Sequence, residues 1–215
     1  MKSETSDISN ERTRQIVLAA QKRMLQYGFS KVTMDEIAED IGMKKASLYY
    51  YFPTKEDIFR SVIQNEHQEF IGLISALVEQ SMSASEKLRL YLRQRVQHSG
   101  MLFALSGAGQ QQWISVRPTI VDLFAEFTEQ NCRLVICILE EGNRSGEFSI
   151  ESPADIARLI LNILQGLRIR LFKTHTMYSS QEIYKELENQ DMMFVETLLS
   201  GIQTRTAAAD KEGNL

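Results

Sequence analysis

Residues 44–57, KKASLYYYFPTKED, set two lysines beside three consecutive tyrosines and then break at a proline. Ammonium and phenol groups donate hydrogen bonds, so this short stretch offers donors to an acceptor-rich partner. Neighbouring helix residues are about 100° apart, and three in a row fan over about 200° of arc. Tyr49, Tyr50 and Tyr51 therefore cannot all be buried against one partner, which argues against a plain aromatic core with a lysine rim. Leu48 and Phe52, four apart, can pin the helix to its neighbours and leave the other positions free to face outward.

The rest of the composition sharpens the contrast. The 215-residue chain has a formal net charge of −4 and a pI near 5.5. Residues 1–60 carry 10 Lys/Arg against 9 Asp/Glu, whereas residues 61–215 carry 14 against 19. A polyanion is thus expected at the N-terminal end only. Other chemistry is not encoded by motif: there is no H-E-x-x-H, G-x-S-x-G, phosphate-binding loop or acidic calcium loop. SGAGQQQW at 106–113 has two glycines but no third and no preceding strand, and reads as a helix break. His67, His98 and His175 are scattered. Neither metal nor cofactor is expected, and an enzyme is disfavoured; a purely structural adaptor would not require the lysine–tyrosine helix. Cys132 and Cys137, five apart on a helix, point to different faces, which argues against a disulfide or zinc pair; two buried thiols in a reducing compartment are expected. The opening MKSETSDISNERTR lacks the apolar run of a secretory signal. The longest apolar stretch, LILNILQGL at 159–167, is too short and polar to span a bilayer. A cytoplasmic protein without membrane association is expected.

The elements that must position the donors are helical. With three prolines, eleven glycines and no alternating pattern, the chain reads as all-α. Ile16, Ala20, Met24 and Tyr27, widened by Val17 and Leu25, form a helical stripe that stops at Gly28. Thr33 and Glu36 form a reciprocal cap for a short helix carrying Ile37, Ala38 and Ile41 and ending at Gly42. A second short helix runs through Lys45 to Tyr51, closed by Pro53, and Thr54 with Asp57 caps the next. Helix, glycine turn and helix have the spacing of a helix-turn-helix. Further helices are expected at about 55–80, 85–98, 102–113, 117–141, 153–173 and 180–203. The division reads as 1–55 for nucleic-acid binding, 56–205 for a helical bundle, and 206–215 as a tail.

These residues resemble the TetR-type bacterial transcriptional repressors. The resemblance is carried by Ile16, Ala19-Ala20, Gly28, Thr33, Ile37-Ala38, Gly42, Lys45 through Phe52, and Lys55-Glu56. Beyond them, Glu140-Glu141-Gly142 before Gly146-Glu147-Phe148 looks like the family's junction between its seventh and eighth helices, and Gly166-Leu167 like part of its dimer helix. Ala46, Tyr51 and Ile41 depart from the Gly, His and Ala of many members; the first two bear on the operator sequence. The resemblance implies double-stranded operator DNA as partner. Lys45, Ala46 and Ser47 then enter the major groove and meet base edges. Tyr49, Tyr50 and Tyr51 offer hydroxyls to phosphates, Lys44 and Lys55 add charge, and the helix start at Thr33 faces a phosphate.

Two further expectations follow. Ile160, Leu164, Leu167 and Leu171, with Met192, Val195, Leu198 and Leu199, exceed what one small core needs and mark a homodimer face, where Gly166 allows close helix approach. The family also implies release from DNA by a small, mostly apolar effector, with Met101, Phe103, Trp113, Phe124, Phe127 and Phe172 as candidate pocket residues. Trp113 is expected at a turn before Arg117-Pro118. The competing possibility is a regulator with a filled core that answers to a protein partner.

Overall fold

The computed structural model describes the backbone of residues 2–106, 110–174 and 180–203, with side chains at 10–105, 118, 120–167, 182 and 185–203. Eight α-helices fill these segments: α1 Lys2–Tyr27, α2 Met34–Asp40, α3 Lys45–Tyr51, α4 Lys55–Val78, α5 Ala84–Ser106, α6 Gln110–Arg144, α7 Pro153–Thr174 and α8 Ser180–Ile202. A single 3₁₀ turn, Phe29–Lys31, joins α1 to the loop before α2. Among the described residues there is no named strand, only one isolated bridge between Phe148 and Gln203. The all-α fold expected from the sequence is the fold observed.

The caps form as the local sequence dictates. The Thr33 hydroxyl accepts from the Glu36 N–H at 3.3 Å, and the Glu36 carboxylate accepts from the Thr33 N–H at 2.8 Å. Thr54 and Asp57 repeat the box at α4, with both bonds at 3.1 Å. Ser83 and Glu86 add a third at α5, which the sequence reading passed over. Between α2 and α3 the backbone reverses at Gly42 with φ 62°, a conformation that costs glycine little and side chains more. Met43 N–H then bonds back to the Ala38 carbonyl at 2.8 Å.

Two helix breaks expected from the sequence are absent. α5 runs through Ser99-Gly100, and α6 runs through Arg117-Pro118. Pro118 removes one helical hydrogen bond, yet the buried face of α6 continues past it through Ile120, Leu123 and Phe127. Likewise Leu88, Leu92, Val96, Leu102 and Leu105 stay buried across Ser99-Gly100. Packing on one continuous face outweighs the local preference to break. Trp113 accordingly lies within the span of α6 and not at a turn, and the junction expected between a seventh and eighth helix falls between α6 and α7. Of the break expected over 106–113, Ser106 ends α5 and residues 110–113 already belong to α6, while 107–109, like the tail at 206–215, lie outside the described residues.

The apolar interior has two main clusters. One joins α1–α3 to α4 through Ile16, Met24, Ile37, Leu48, Phe52, Ile58, Phe59 and Val62, and extends to Leu102, Leu105, Ile120, Leu123 and Phe127 of α5 and α6. The other gathers Phe70 and Ile74 of α4 with Leu88, Tyr91, Val135, Ile138, Ile160, Leu164, Val195 and Leu199. At its far end the bundle is stapled by charge. The buried Lys87 ammonium donates to both Glu141 carboxylate oxygens, at 2.6 and 2.7 Å, and to the Val78 carbonyl at 2.6 Å. Glu147 accepts the Ala84 and Ser85 N–H groups at the start of α5, at 2.8 and 3.0 Å.

Gly142, three residues from the end of α6, lies against the Phe148 ring so closely that a Cβ there would collide with it. Gly142→Ala should therefore cost about 1–3 kcal/mol by overpacking. Urea denaturation should show the loss, and Phe148→Leu should partly relieve it.

Candidate nucleic-acid interface and effector cavity

The first apolar cluster holds α3 by one edge. Leu48 is fully buried and Phe52 nearly so, whereas Lys44, Lys45, Ala46, Ser47, Tyr49 and Tyr50 are exposed. Tyr50 is 85% exposed and Tyr49 42%. Leaving phenol rings in water forgoes burial that aromatic residues normally obtain, so this face is built for a partner. Tyr51 is half-buried, packs against the cluster and meets Tyr50 edge-on at 5.5 Å. It is the least free of the three tyrosines. The N-cap residue of α3, Lys44, provides no side-chain cap, so the first N–H groups of the helix keep no side-chain acceptor there.

Neighbouring charges fix the unit that presents α3. Arg23 of α1 grips Asp40 of α2 through two bonds at 2.5 and 2.8 Å and reaches Glu36 at 3.4 Å. This bond to the guanidinium holds the Asp40 carboxyl below its ordinary range. Thr33 faces outward, its hydroxyl committed to Glu36. Lys45, expected to read bases, pairs with Asp35 of α2 at 2.8 Å. Both partners are more than half exposed, so the pair holds the ammonium weakly, by ~0–1 kcal/mol. Sequence reasoning missed Asp35, although it lies within the α2 cap segment.

Lys55 has a different fate from the one expected. Its ammonium donates to the carbonyls of Phe29 and Val32, both at 2.9 Å, and sits 4.4 Å over the Phe29 ring. Burial lowers its pKa. This lysine ties α4 to the loop that launches α2, and its charge is used inside the fold. Lys55→Ala should cost about 1–3 kcal/mol, the range for charged hydrogen bonds. Lys45→Ala should stay within about 0.5 kcal/mol of the parent. Parallel urea titrations separate the two roles.

On the effector side, Phe124 and Phe127 line a cavity of about 50 Å³ with His67, Arg95, His98, Ser99, Leu102, Thr128, Asn131, Leu161 and Gln165. Sites for drug-sized ligands are roughly 300–1,000 Å³, so this space suits a few waters or a small fragment. Met101 points outward at 36% exposure, and Phe103 is buried but off the cavity. Trp113 and Phe172 lie outside the described side chains. The polar share of the wall was not foreseen, because these residues come from four helices.

Of the expected dimer residues, Ile160, Leu164, Val195 and Leu199 are buried inside the protomer's own core. A side chain with no exposed surface cannot meet a second copy. Leu167, Met192 and Leu198 are half-buried, Gly166 is exposed, and Leu171 lies outside the described side chains. The outward positions of α7 are instead Arg158, Leu159, Asn162, Gln165 and Gly166, with Leu159 50% exposed and Ile163 half-buried beside them. On α8, Met193 is 71% exposed. Cys132 is buried, but Cys137 is exposed, which corrects the expectation of two buried thiols: five apart on one helix, the two cannot share its buried face. No group of three metal-ligating side chains occurs among the described residues, and no described helix is long and apolar enough to cross a membrane.

Within the cavity wall, burial lowers the His67 pKa from 6.5 to about 4, against the opposing hydrogen bond to Gln130. The unfolded chain takes up this proton near pH 6.5 and the folded protein only near 4. The site's contribution to stability is therefore complete above pH 6.5 and is lost as pH falls toward 4, by about 3 kcal/mol in all. The buried Glu66 carboxyl is raised by desolvation and works in the opposite sense. Urea midpoints measured from pH 7 to 4.5 should fall, and His67→Gln should flatten the decline.

Comparison with known proteins agrees with this architecture. Residues 16–62 match the family described as bacterial regulatory proteins, tetR family, and residues 78–203 match the QacR-like protein, C-terminal region. A transcriptional regulator from Cytophaga hutchinsonii superposes with a TM-score of 0.84 at 31% identity, over 90% of this chain and 99% of that one. The fatty acid metabolism regulator protein of Bacillus subtilis is 25% identical, covering 89% of this chain and 95% of its own. The HTH-type transcriptional repressor BepR of Brucella suis is 28% identical, over 70% and 75% of the two chains. With both halves of the chain matched and the α2–α3 unit formed as described, the protein belongs to the TetR family of DNA-binding transcriptional regulators.

Proposed function

We propose that the protein is a repressor that binds a palindromic operator as a homodimer and is released when a small molecule enters the α4–α7 cavity. The observation that carries the DNA assignment is the outward face of α3, where Lys44, Lys45, Ser47, Tyr49 and Tyr50 stand exposed around a fully buried Leu48. Lys45 and Ser47 read base edges in the major groove, while the Tyr49 and Tyr50 hydroxyls take phosphates and set register. The repressor role is supported by the name of the Brucella relative. Dimerisation uses the outward stripe of α7 around Leu159, Ile163 and Gly166 with Met193 of α8, and a two-fold pair places recognition helices about 34–36 Å apart.

Release has a physical route. An occupant larger than the cavity displaces part of its wall, and Leu102 and Phe127 of that wall belong to the apolar cluster that holds Leu48 and Phe52 of α3. The ligand acts only by the margin with which it prefers the DNA-incompetent arrangement, typically ~1–3 kcal/mol.

An operator selected from genomic fragments tests the assignment by anisotropy titration at fixed salt. Lys45→Ala should lose ~1–3 kcal/mol on the specific site. Tyr49→Phe should weaken specific and non-specific binding alike, because phosphate contacts carry no base information. Asp35→Asn, which frees Lys45 and removes a carboxylate from the DNA face, should tighten binding. Unchanged operator affinity in both Lys45→Ala and Tyr49→Phe would remove α3 from the interface, and a stable monomer by sedimentation at micromolar concentration would remove the dimer.

A further inference from the structure

The cavity carries its own statement about ligand chemistry. Gln130 fixes it. Its amide nitrogen donates to Glu126 at 3.0 Å, which turns its oxygen toward His67 Nε2, also at 3.0 Å. An amide oxygen only accepts, so His67 Nε2 holds the proton and Nδ1 presents a bare lone pair. His67 is 1% exposed, its ring stacks on Phe127 at 3.6 Å, and Nδ1 is buried with no hydrogen-bond partner. Burial keeps the ring neutral, so this nitrogen remains an acceptor awaiting a donor. Arg95 stands on the same wall. It has no carboxylate partner among the described residues, and no Asp or Glu lines the cavity. A permanent cation without a counter-charge favours an anion. Leu102, Phe124, Phe127 and Leu161 supply an apolar remainder.

We propose that the effector is a small monoanionic acid bearing a hydroxyl group, its carboxylate held by Arg95 and its hydroxyl donating to His67 Nδ1 across the apolar wall. This identification rests on the ligand-release reading above and replaces the mostly apolar molecule expected from the sequence. A single ring already exceeds the cavity of about 50 Å³, so binding requires part of the wall to move, and larger acids are disfavoured.

Calorimetric titration of the full-length protein with 2-, 3- and 4-hydroxybenzoate, benzoate and benzyl alcohol tests it, since the three isomers span different reaches. One hydroxybenzoate should bind at least about tenfold more tightly than benzoate, and benzyl alcohol more weakly than either. Arg95→Gln, at a half-exposed site, should cost the acids about tenfold and leave benzyl alcohol unchanged. His67→Phe should bring the hydroxybenzoate down to benzoate. Should that variant not fold, the fluorobenzoates serve on the parent protein: fluorine takes the place of the hydroxyl but has no proton to donate to Nδ1, and the preference over benzoate should disappear. Equal or tighter binding of benzyl alcohol, unchanged acid affinity in Arg95→Gln, or no binding by any of the five to protein that still binds its operator would overturn the proposal. An acid that binds as described yet leaves operator affinity unchanged upholds the ligand class and defeats the release reading instead.

Discussion

The buried face of α4 is the constraint on which the rest of the molecule depends: like α5 and α6 it enters both apolar clusters, and it alone of the three follows directly on α3. Ile58, Phe59, Val62 and Ile63 close the cluster beneath the recognition unit, and Phe70 and Ile74 enter the other. Burial of each such side chain contributes ~1.5–3 kcal/mol, so α4 cannot leave either cluster without large loss. Between the two stretches the buried face turns polar at Glu66 and His67. Glu66 accepts from Gln21 of α1, and His67 donates to Gln130 of α6. These bonds contribute little net stability but fix the helix's rotation, since removing one partner strands the other in the interior. Arg60, one turn before Ile63, adds two bonds at 2.7 Å to Asp122 of α6.

This arrangement gives α4 the means to transmit. The cavity opens on His67, at the step between the clusters, and its wall shares Leu102 and Phe127 with the cluster that seats α3. Close-packed interiors do not deform continuously, so on the proposed release reading an occupant too large for the cavity would shift these side chains to a different packing. The physical warrant is the shared contact set and not mere distance between sites.

The same economy governs charge. On the DNA reading proposed for α3, the acidic body would disfavour DNA over most of its surface, and the exposed lysines and phenols of α3 would confine attraction to one edge. Lys45 and Lys55 have the same side chain and opposite fates. Lys45 stands on an outward turn and pairs with an exposed carboxylate. Lys55 lies beside the carbonyls of Phe29, in the 3₁₀ turn, and Val32, just after it, and its long stem carries the ammonium to them. Residue type alone does not separate these roles; the position of the backbone does.

What the sequence determined by itself is whatever neighbours within one or two helical turns decide. The Thr33–Glu36 and Thr54–Asp57 caps, the glycine turn at Gly42, the Leu48–Phe52 anchor and the outward tyrosines all depend on spacings of three or four residues, and all were legible. Where the partner lies far along the chain, only the tertiary structure decided. Pro118 stays helical while the buried face of α6 continues beyond it through Ile120, Leu123 and Phe127, and Ile160 and Val195 face inward because α7 and α8 pack on the α4–α6 core. Glu147 caps a helix that begins at Ala84, Lys87 finds Glu141, and Arg95 shares a wall with His67 across four helices. Local rules set which atoms seek partners; the packing of distant helices sets which partners they find.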